Sequence, residues 1–372
     1  MEIKKFKKDS AYKGDLPEGC KRCAEGGKMV LLVTGSCDSG CWYCPLSKKK
    51  KGKPVVYANE KKVEREEEIL EEARSIDASG TGITGGDPLC EDAYTKDIEG
   101  GDEHVISQAE QTAMYIQLLK SEFGGDHHIH LYTQSTDMDG IRRVYNCGID
   151  EIRFHPEIKS WKNIEETEYP LVLKEINDEM DISVGLEIPS IPGKEEDSVH
   201  LLNELGKLVD FVNINELEFS NTNSEELKKR GFKHKSEVSS AVKGSEELAM
   251  RLLKKDFGTD LHYCSLAFKD GVQLTNRMKR RAENIAKKED IITDEGMIIR
   301  GMIETENGRG VARELRNIFD ISEELLWYDK EKDRIECSLP LLRHIHESLD
   351  EKCYGIEVYP TADALEVERW PL

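Results

Sequence analysis

The residues best suited to chemistry stand in Thr34–Pro45 (TGSCDSGCWYCP), where Cys37, Cys41 and Cys44 fall within eight positions. A C-x3-C-x2-C spacing puts three thiolates on one compact loop, as iron–sulfur clusters require, and stops one ligand short of four. One iron of such a cluster stays open to an outside ligand. Two other chemistries use closely spaced thiols: a zinc ion with a remote fourth ligand, and a disulfide framework, which belongs to oxidising compartments. A second motif bears on the choice. Thr84–Leu89 reads TGGDPL, and Gly85 and Gly86, followed by Asp87 and Pro88, leave backbone amides and carbonyls that no side chain shields from a ligand.

Weaker candidates lie elsewhere. Cys20 and Cys23 form a C-x2-C pair five residues before the apolar run Lys28–Thr34. As a strand that run spans about 23 Å at about 3.3 Å per residue, so the pair belongs to the opposite end of the sheet from the cysteine loop. It reads either as unligated thiols or as a second metal site, zinc or another iron–sulfur cluster, completed by Cys264 or next by His262 of the DLHYCS stretch. Polar residues also end successive apolar runs: Thr133, Gln134 and Ser135; Arg153 and His155; Gly185 and Glu187 before Ile188; Asn213, Asn215, Glu216 and Glu218. Strand alternation puts Asn213 and Asn215 on one face and Glu216 and Glu218 on the other. His127, His128 and His130 read as packing, and His344 and His346 do not face one ligand. The basic run Lys48–Lys53 reads as a solvated loop in preference to a phosphate-binding patch, because no aromatic residues are interleaved.

The elements that must position these residues follow from periodicity. A polar, Gly-containing segment (1–27) leads into the run Lys28–Thr34, and strand–helix–strand units then repeat: helix 63–78 and strand 79–84, helix 107–123 and strand 129–133, helix 138–147 and strand 151–154, helix 169–180 and strand 182–188, helix 199–208 and strand 211–217. Alternation of this kind builds an α/β fold with a parallel sheet and right-handed crossovers. Six strands predict an open six-unit (β/α)6 partial barrel over 28–220, with working residues at the carboxyl ends of the strands. A helical extension (221–289) follows. Residues 290–372 change rhythm to β-α-β-β-α-β, an α+β ferredoxin-like module.

Composition narrows the class. With 53 Lys and Arg against 74 Asp and Glu, the formal charge is −21, which disfavours nucleic acid as a partner. No apolar run approaches a membrane span. Ten cysteines without a signal peptide predict a cytoplasmic protein with reduced, metal-ligating thiols.

The C-x3-C-x2-C loop followed by one helix and a GGDP turn resembles the radical SAM superfamily, over about residues 28–220. The whole chain resembles an archaeal group related to pyruvate formate-lyase activating enzyme. The resemblance implies that Cys37, Cys41 and Cys44 hold a 4Fe-4S cluster whose fourth iron is chelated by S-adenosylmethionine (SAM), with Tyr43 the aromatic beside the last cysteine. Gly85, Gly86, Asp87 and Pro88 match the GGE motif that holds the SAM amino group, with Asp where Glu is usual. Ser135 and Arg153 stand where the family contacts SAM ribose and carboxylate, and Glu187 lies in a segment like its adenine-packing strand. The implied reaction is reductive cleavage of SAM to methionine and a 5′-deoxyadenosyl radical that abstracts hydrogen, driven by a reductant such as ferredoxin or flavodoxin. The substrate stays open between a protein glycine, as for an activase, and a small metabolite. A non-catalytic metal-binding module is the remaining alternative, and it has no need of the GGDP turn.

Overall fold

The computed structural model describes residues 2–97 and 103–372, and the chain divides into two compact units, Met1–Arg74 with Ala78–Leu274 and Ser75–Asp77 with Thr275–Leu372. In the larger unit, strands Lys28–Leu32 (β1), Gly80–Thr84 (β2), His128–Thr133 (β3), Glu151–Phe154 (β4), Ser183–Ser190 (β5), Phe211–Glu216 (β6) and Asp260–Cys264 (β7) lie side by side in chain order. Each is parallel to the next. Seven parallel strands thus stand where periodicity predicts six. The seventh hides in DLHYCS, because the connection before it carries a helix, a two-stranded ribbon (His234–Ser236 with Ser239–Val242) and a further helix, Ser245–Leu253, which stretches the repeating rhythm. Antiparallel ribbons extend both edges: Ala11–Lys13 pairs with β7 and Val56–Ala58 with β1.

Period-two alternation gives the parallel strands two unlike faces. Leu31, Ile83, Leu131, Phe154, Leu186 and Ile214 are wholly buried on one, the apolar surface that crossover helices cover. The other carries buried polar side chains, among them Lys28, His130, Glu151, Arg153, Glu187 and Asn213. Buried polar groups are held chiefly by hydrogen bonds and ion pairs, and Glu151, Arg153, Glu187 and Asn213 are linked to one another in that way.

Glu18–Ala24 (α1), expected to be irregular, is a helix entered at Pro17, a residue suited to a helix start. It lies at the amino ends of the strands. Gly19 N–H donates to Glu151 Oε2 (3.2 Å), and Arg22 Nη1 donates to the carbonyls of Ser79 (2.6 Å) and Asp126 (3.2 Å).

In the smaller unit, Ile298–Glu304 (β8), helix Gly308–Ile318, Leu326–Asp329 (β9), Arg334–Cys337 (β10), helix Leu339–Ile345 and Lys352–Val358 (β11) follow the β-α-β-β-α-β order read from the sequence, with Glu366–Pro371 (β12) added. The sheet is antiparallel, ordered β9-β10-β8-β11-β12. Ile303, Leu326, Ile335, Cys337 and Leu342 form its core.

Candidate active site

Strand register brings the two motifs together. Leu32 pairs with Thr84, so the cysteine loop and the GGDP turn leave neighbouring strand ends. Val33 N–H donates to Thr84 O (2.9 Å), Gly86 N–H to Thr34 O (2.7 Å) and Asp87 N–H to Ser36 O (2.7 Å). A Cβ on Gly86 would stand 1.8 Å from Ser36 O, and one on Gly85 2.6 Å from Thr34 O. The glycines are therefore needed first for the turn to lie against the cysteine loop. That is a different reason from the ligand approach expected from sequence, although both also line the cavity described below.

Asp87 acts within the protein. Its Oδ1 accepts from Leu89 N–H (2.9 Å) and Thr133 Oγ1 (2.7 Å), and its Oδ2 from Gln134 N–H (2.7 Å). Burial raises its pKa against the pull of these three donors. The short carboxylate clasps the GGDP turn to the end of β3. Pro88 O accepts from Thr112 Oγ1 (2.8 Å). Ser135 N–H donates to Thr133 Oγ1 (2.9 Å), and Ser135 Oγ accepts from Asp137 N–H (3.1 Å), a local turn. Asp87, Pro88 and Ser135 are not among the cavity-lining residues.

The far end of the cysteine loop is strapped to the chain beyond β6. Asn223 Nδ2 donates to Tyr43 O (2.9 Å) and Glu218 O (3.0 Å), and Trp42 stacks on Phe232 with ring centroids 5.8 Å apart. Tyr43 itself is buried. Its hydroxyl meets His155 Nε2 (3.0 Å), and His155 Nδ1 meets Glu187 O (2.6 Å). The carbonyl accepts from Nδ1–H, so Nε2 accepts from the tyrosine, and burial lowers the imidazole pKa in keeping with a neutral ring.

Between loop, turn and strand ends lies a cavity of about 410 Å³, lined by Cys37, Cys41, Cys44, Tyr43, Gly85, Gly86, Gln134, His155 and Glu187 among others. Ser39 N–H approaches Cys37 Sγ (3.4 Å) and Gln134 Nε2 approaches Cys41 Sγ (3.5 Å). Burial pushes the free Cys37 thiol up to about 11. Three sulfurs on one wall, two with N–H donors directed at them, form the kind of donor set that suits an iron–sulfur cluster.

Arg153 lies beneath this cavity and does not line it. It is 2% exposed, bonded to Glu151 and, at 3.0 Å, to Glu187 Oε2. Glu187 Oε1 accepts from Asn213 Nδ2 (2.6 Å) and from Asn215 Nδ2. Arg153 thus holds Glu187, and Glu187 faces the cavity. Asn215, Glu216 and Glu218 all reach the lining, since the chain leaves regular alternation where β6 ends.

Cys20 and Cys23 lie on α1, and the fold brings Cys264 against the same helix, at Ala24. Cys20 Sγ accepts from Arg153 Nη2 (3.4 Å), and Cys264 packs with Ala24, Phe268 and Val272. Among the described residues no three His, Cys, Asp or Glu side chains are drawn together as a metal cage. Cys37, Cys41 and Cys44 likewise share a cavity wall without closing into one. Lys269, which opens a π-helical turn after β7, lines the cavity with Glu216 and Glu218. Sequence reasoning missed it, as it missed Asn223, because neither residue carries a motif; each is brought to the site by a long-range fold contact.

A protein of Methanocaldococcus jannaschii named "Putative glycyl-radical enzyme activating enzyme MJ0021" is 38% identical over 385 residues, spanning 100% of this chain and 96% of that protein. The chain belongs to that protein's family, which is related to the radical SAM enzymes. In this family member, residues 296–372 also match a family described as a domain of unknown function (DUF8061), a span that contains β8 to β12. Among the described residues no helix is long and apolar enough to cross a membrane.

Proposed function

We propose that this protein is a radical SAM activating enzyme with a protein glycine as its substrate. The observation carrying the reading is the meeting of Cys37, Cys41 and Cys44 with the Gly85–Gly86 turn on the wall of one cavity. When bound, a 4Fe-4S cluster and SAM supply one-electron reductive cleavage of SAM and the hydrogen abstraction that follows. Cys37, Cys41 and Cys44 would hold the cluster, with Ser39 N–H and Gln134 Nε2 supporting two of the sulfurs. Backbone groups of Gly85 and Gly86 would hold SAM, while Asp87 fixes their turn and Pro88 and Ser135 shape the neighbouring turns. Tyr43 and His155 close one side against water, and Arg153 sets the Glu187 carboxylate that faces the ligand. On this reading the seven parallel strands form a partial barrel, the carboxyl-terminal sheet is a ferredoxin-like module, and the protein works in the cytoplasm.

Lys269 and Glu218 favour a second reading, because a glycine backbone does not call for charged groups on the cavity wall. A small metabolite bearing a carboxylate or phosphate would use Lys269. Anaerobic reconstitution followed by SAM and dithionite tests the common part: 5′-deoxyadenosine and methionine are expected, and their absence from a fully reconstituted protein refutes it. A glycyl-radical resonance on an added partner protein would then favour the first reading over the second.

A further inference from the structure

The strongest charge feature beside the site is Lys48–Lys53. Between Asp38 and Glu60 the chain has no acidic residue and five lysines, Lys48, Lys49, Lys50, Lys51 and Lys53, although acids outnumber bases 74 to 53 overall. The fold fixes this run against the cysteine loop. Gly35 N–H donates to Lys53 O (2.8 Å), Gly52 N–H donates to Gly35 O (2.7 Å), and the amides of Lys50 and Lys51 both donate to Ser47 O at 2.9 Å. A Cβ on Gly35, two residues before Cys37, would stand 1.7 Å from Lys50 O.

The side chains divide by role. Lys50 is half-buried, its Nζ 4.3 Å from the Tyr57 ring centroid. Lys51 is exposed and reaches the cavity rim. Lys48, Lys49 and Lys53 are exposed to solvent, and among the described residues none of the three has a carboxylate oxygen within 4.0 Å. The next lysines along the chain behave differently: Lys61 pairs with Glu68 and Glu71, and Lys62 with Glu64. Three outward lysines with no carboxylate partner, carried on a backbone hydrogen-bonded to the cysteine loop, concentrate positive field at one spot of an acidic protein, here next to the cysteines.

We propose that this loop is the docking surface for an acidic, low-potential one-electron carrier protein, seated with its redox centre toward Cys37–Cys44. The inference rests on reading those cysteines as cluster ligands. In the complex the carrier gives up one electron and is oxidised by one; the cluster is reduced by that electron; no bond forms or breaks and no proton moves. A small anionic substrate inside the cavity would meet Lys51 but not the three outward lysines. Nucleic acid would call for aromatic residues interleaved with the lysines, and the run has none.

The test uses the full-length, anaerobically reconstituted protein, an acidic ferredoxin as the carrier, and the variant Lys48→Glu/Lys49→Glu/Lys53→Glu, which spares Lys50 and Lys51. Binding of oxidised ferredoxin is measured by calorimetry, and cluster reduction is followed with reduced ferredoxin and, separately, with photoreduced deazaflavin. The variant should bind ferredoxin at least about tenfold more weakly and accept its electrons correspondingly more slowly, with a flattened salt dependence. Iron content and reduction by deazaflavin should match wild type. Wild-type affinity for ferredoxin in the variant overturns the proposal. If the variant loses iron, the wild-type protein decides: carrier-driven reduction that ignores ionic strength overturns docking by this loop, and reduction that slows steeply with salt supports it. A wild-type protein that deazaflavin itself cannot reduce instead overturns the cluster reading beneath it.

Discussion

Gly86→Ala puts the packing of turn against cysteine loop under direct test. The added Cβ would stand 1.8 Å from Ser36 O and 2.7 Å from Gly35 O, both backbone atoms, where ordinary contact begins at 3.4 Å. The loop must therefore retreat by about 1.5 Å, against a metal-ligand tolerance of about 0.2 Å. Retreat also strains the bonds from Gly86 N–H to Thr34 O and from Asp87 N–H to Ser36 O, each worth about 1 kcal/mol. Overpacking adds about 1–3 kcal/mol. Together these set about 3–5 kcal/mol against the closed arrangement of loop and turn. Iron and sulfide per chain after anaerobic reconstitution, with the urea midpoint of the apoprotein, report the result. Both should fall well below wild type. Gly40→Ala is the control in the same loop, since a Cβ there meets no protein atom within 4 Å. Wild-type iron content and stability in Gly86→Ala would refute the packing argument. Full iron with weakened SAM binding would instead restore the ligand-approach reason for the glycine.

Cys41→Ala should abolish 5′-deoxyadenosine formation under dithionite, measured by chromatography, and full activity there sinks the cluster assignment. Arg153→Met strands the buried carboxylates of Glu151 and Glu187 and should cost about 3–5 kcal/mol in urea unfolding; a loss below about 1 kcal/mol would mean those carboxylates do not depend on the arginine. Asn223→Ala leaves Tyr43 O and Glu218 O without their shared donor, at about 1–3 kcal/mol, and an unchanged urea midpoint would show that the strap is dispensable. Burial, with Lys28 beside it, holds His128 down to about 3 from an ordinary 6.5. The unfolded chain then binds the extra proton, so the contribution is complete above pH 6.5 and is lost as pH falls toward the folded value, at up to about 1.4 kcal/mol per pH unit. His128→Gln should flatten the fall in urea stability between about pH 6.5 and 4, and coincident profiles for the variant and wild type would contradict this.

Local chemistry made much of this protein legible in one dimension. The spacing of Cys37, Cys41 and Cys44 and the TGGDP sequence are short-range features, and so are the apolar runs that became β1 to β6. The β-α-β-β-α-β order near the carboxyl terminus was readable for the same reason, since turns and periodicity act within a few residues of themselves. The seventh strand was not, because its connection outgrew the repeat. Helix α1 was not either, because what it rests on, Glu151 and the carbonyls of Ser79 and Asp126, is remote in the chain.

Residue roles at the site divide the same way. Sequence determined which side chains stand near the carboxyl ends of strands, but not the depth at which each one comes to rest. Register and burial decided that. They sent Arg153 below the cavity as the counter-ion of Glu187, turned Asp87 into a clasp between strand ends, and left Glu187 at the surface of the cavity. Only the tertiary structure could show that Gly85 and Gly86 meet another backbone, or that Lys48–Lys53 is pinned beside the cysteines. The physical reason is that a side chain's function depends on partners brought by long-range pairing, and a buried charge is placed by whatever satisfies it, not by its position along the chain.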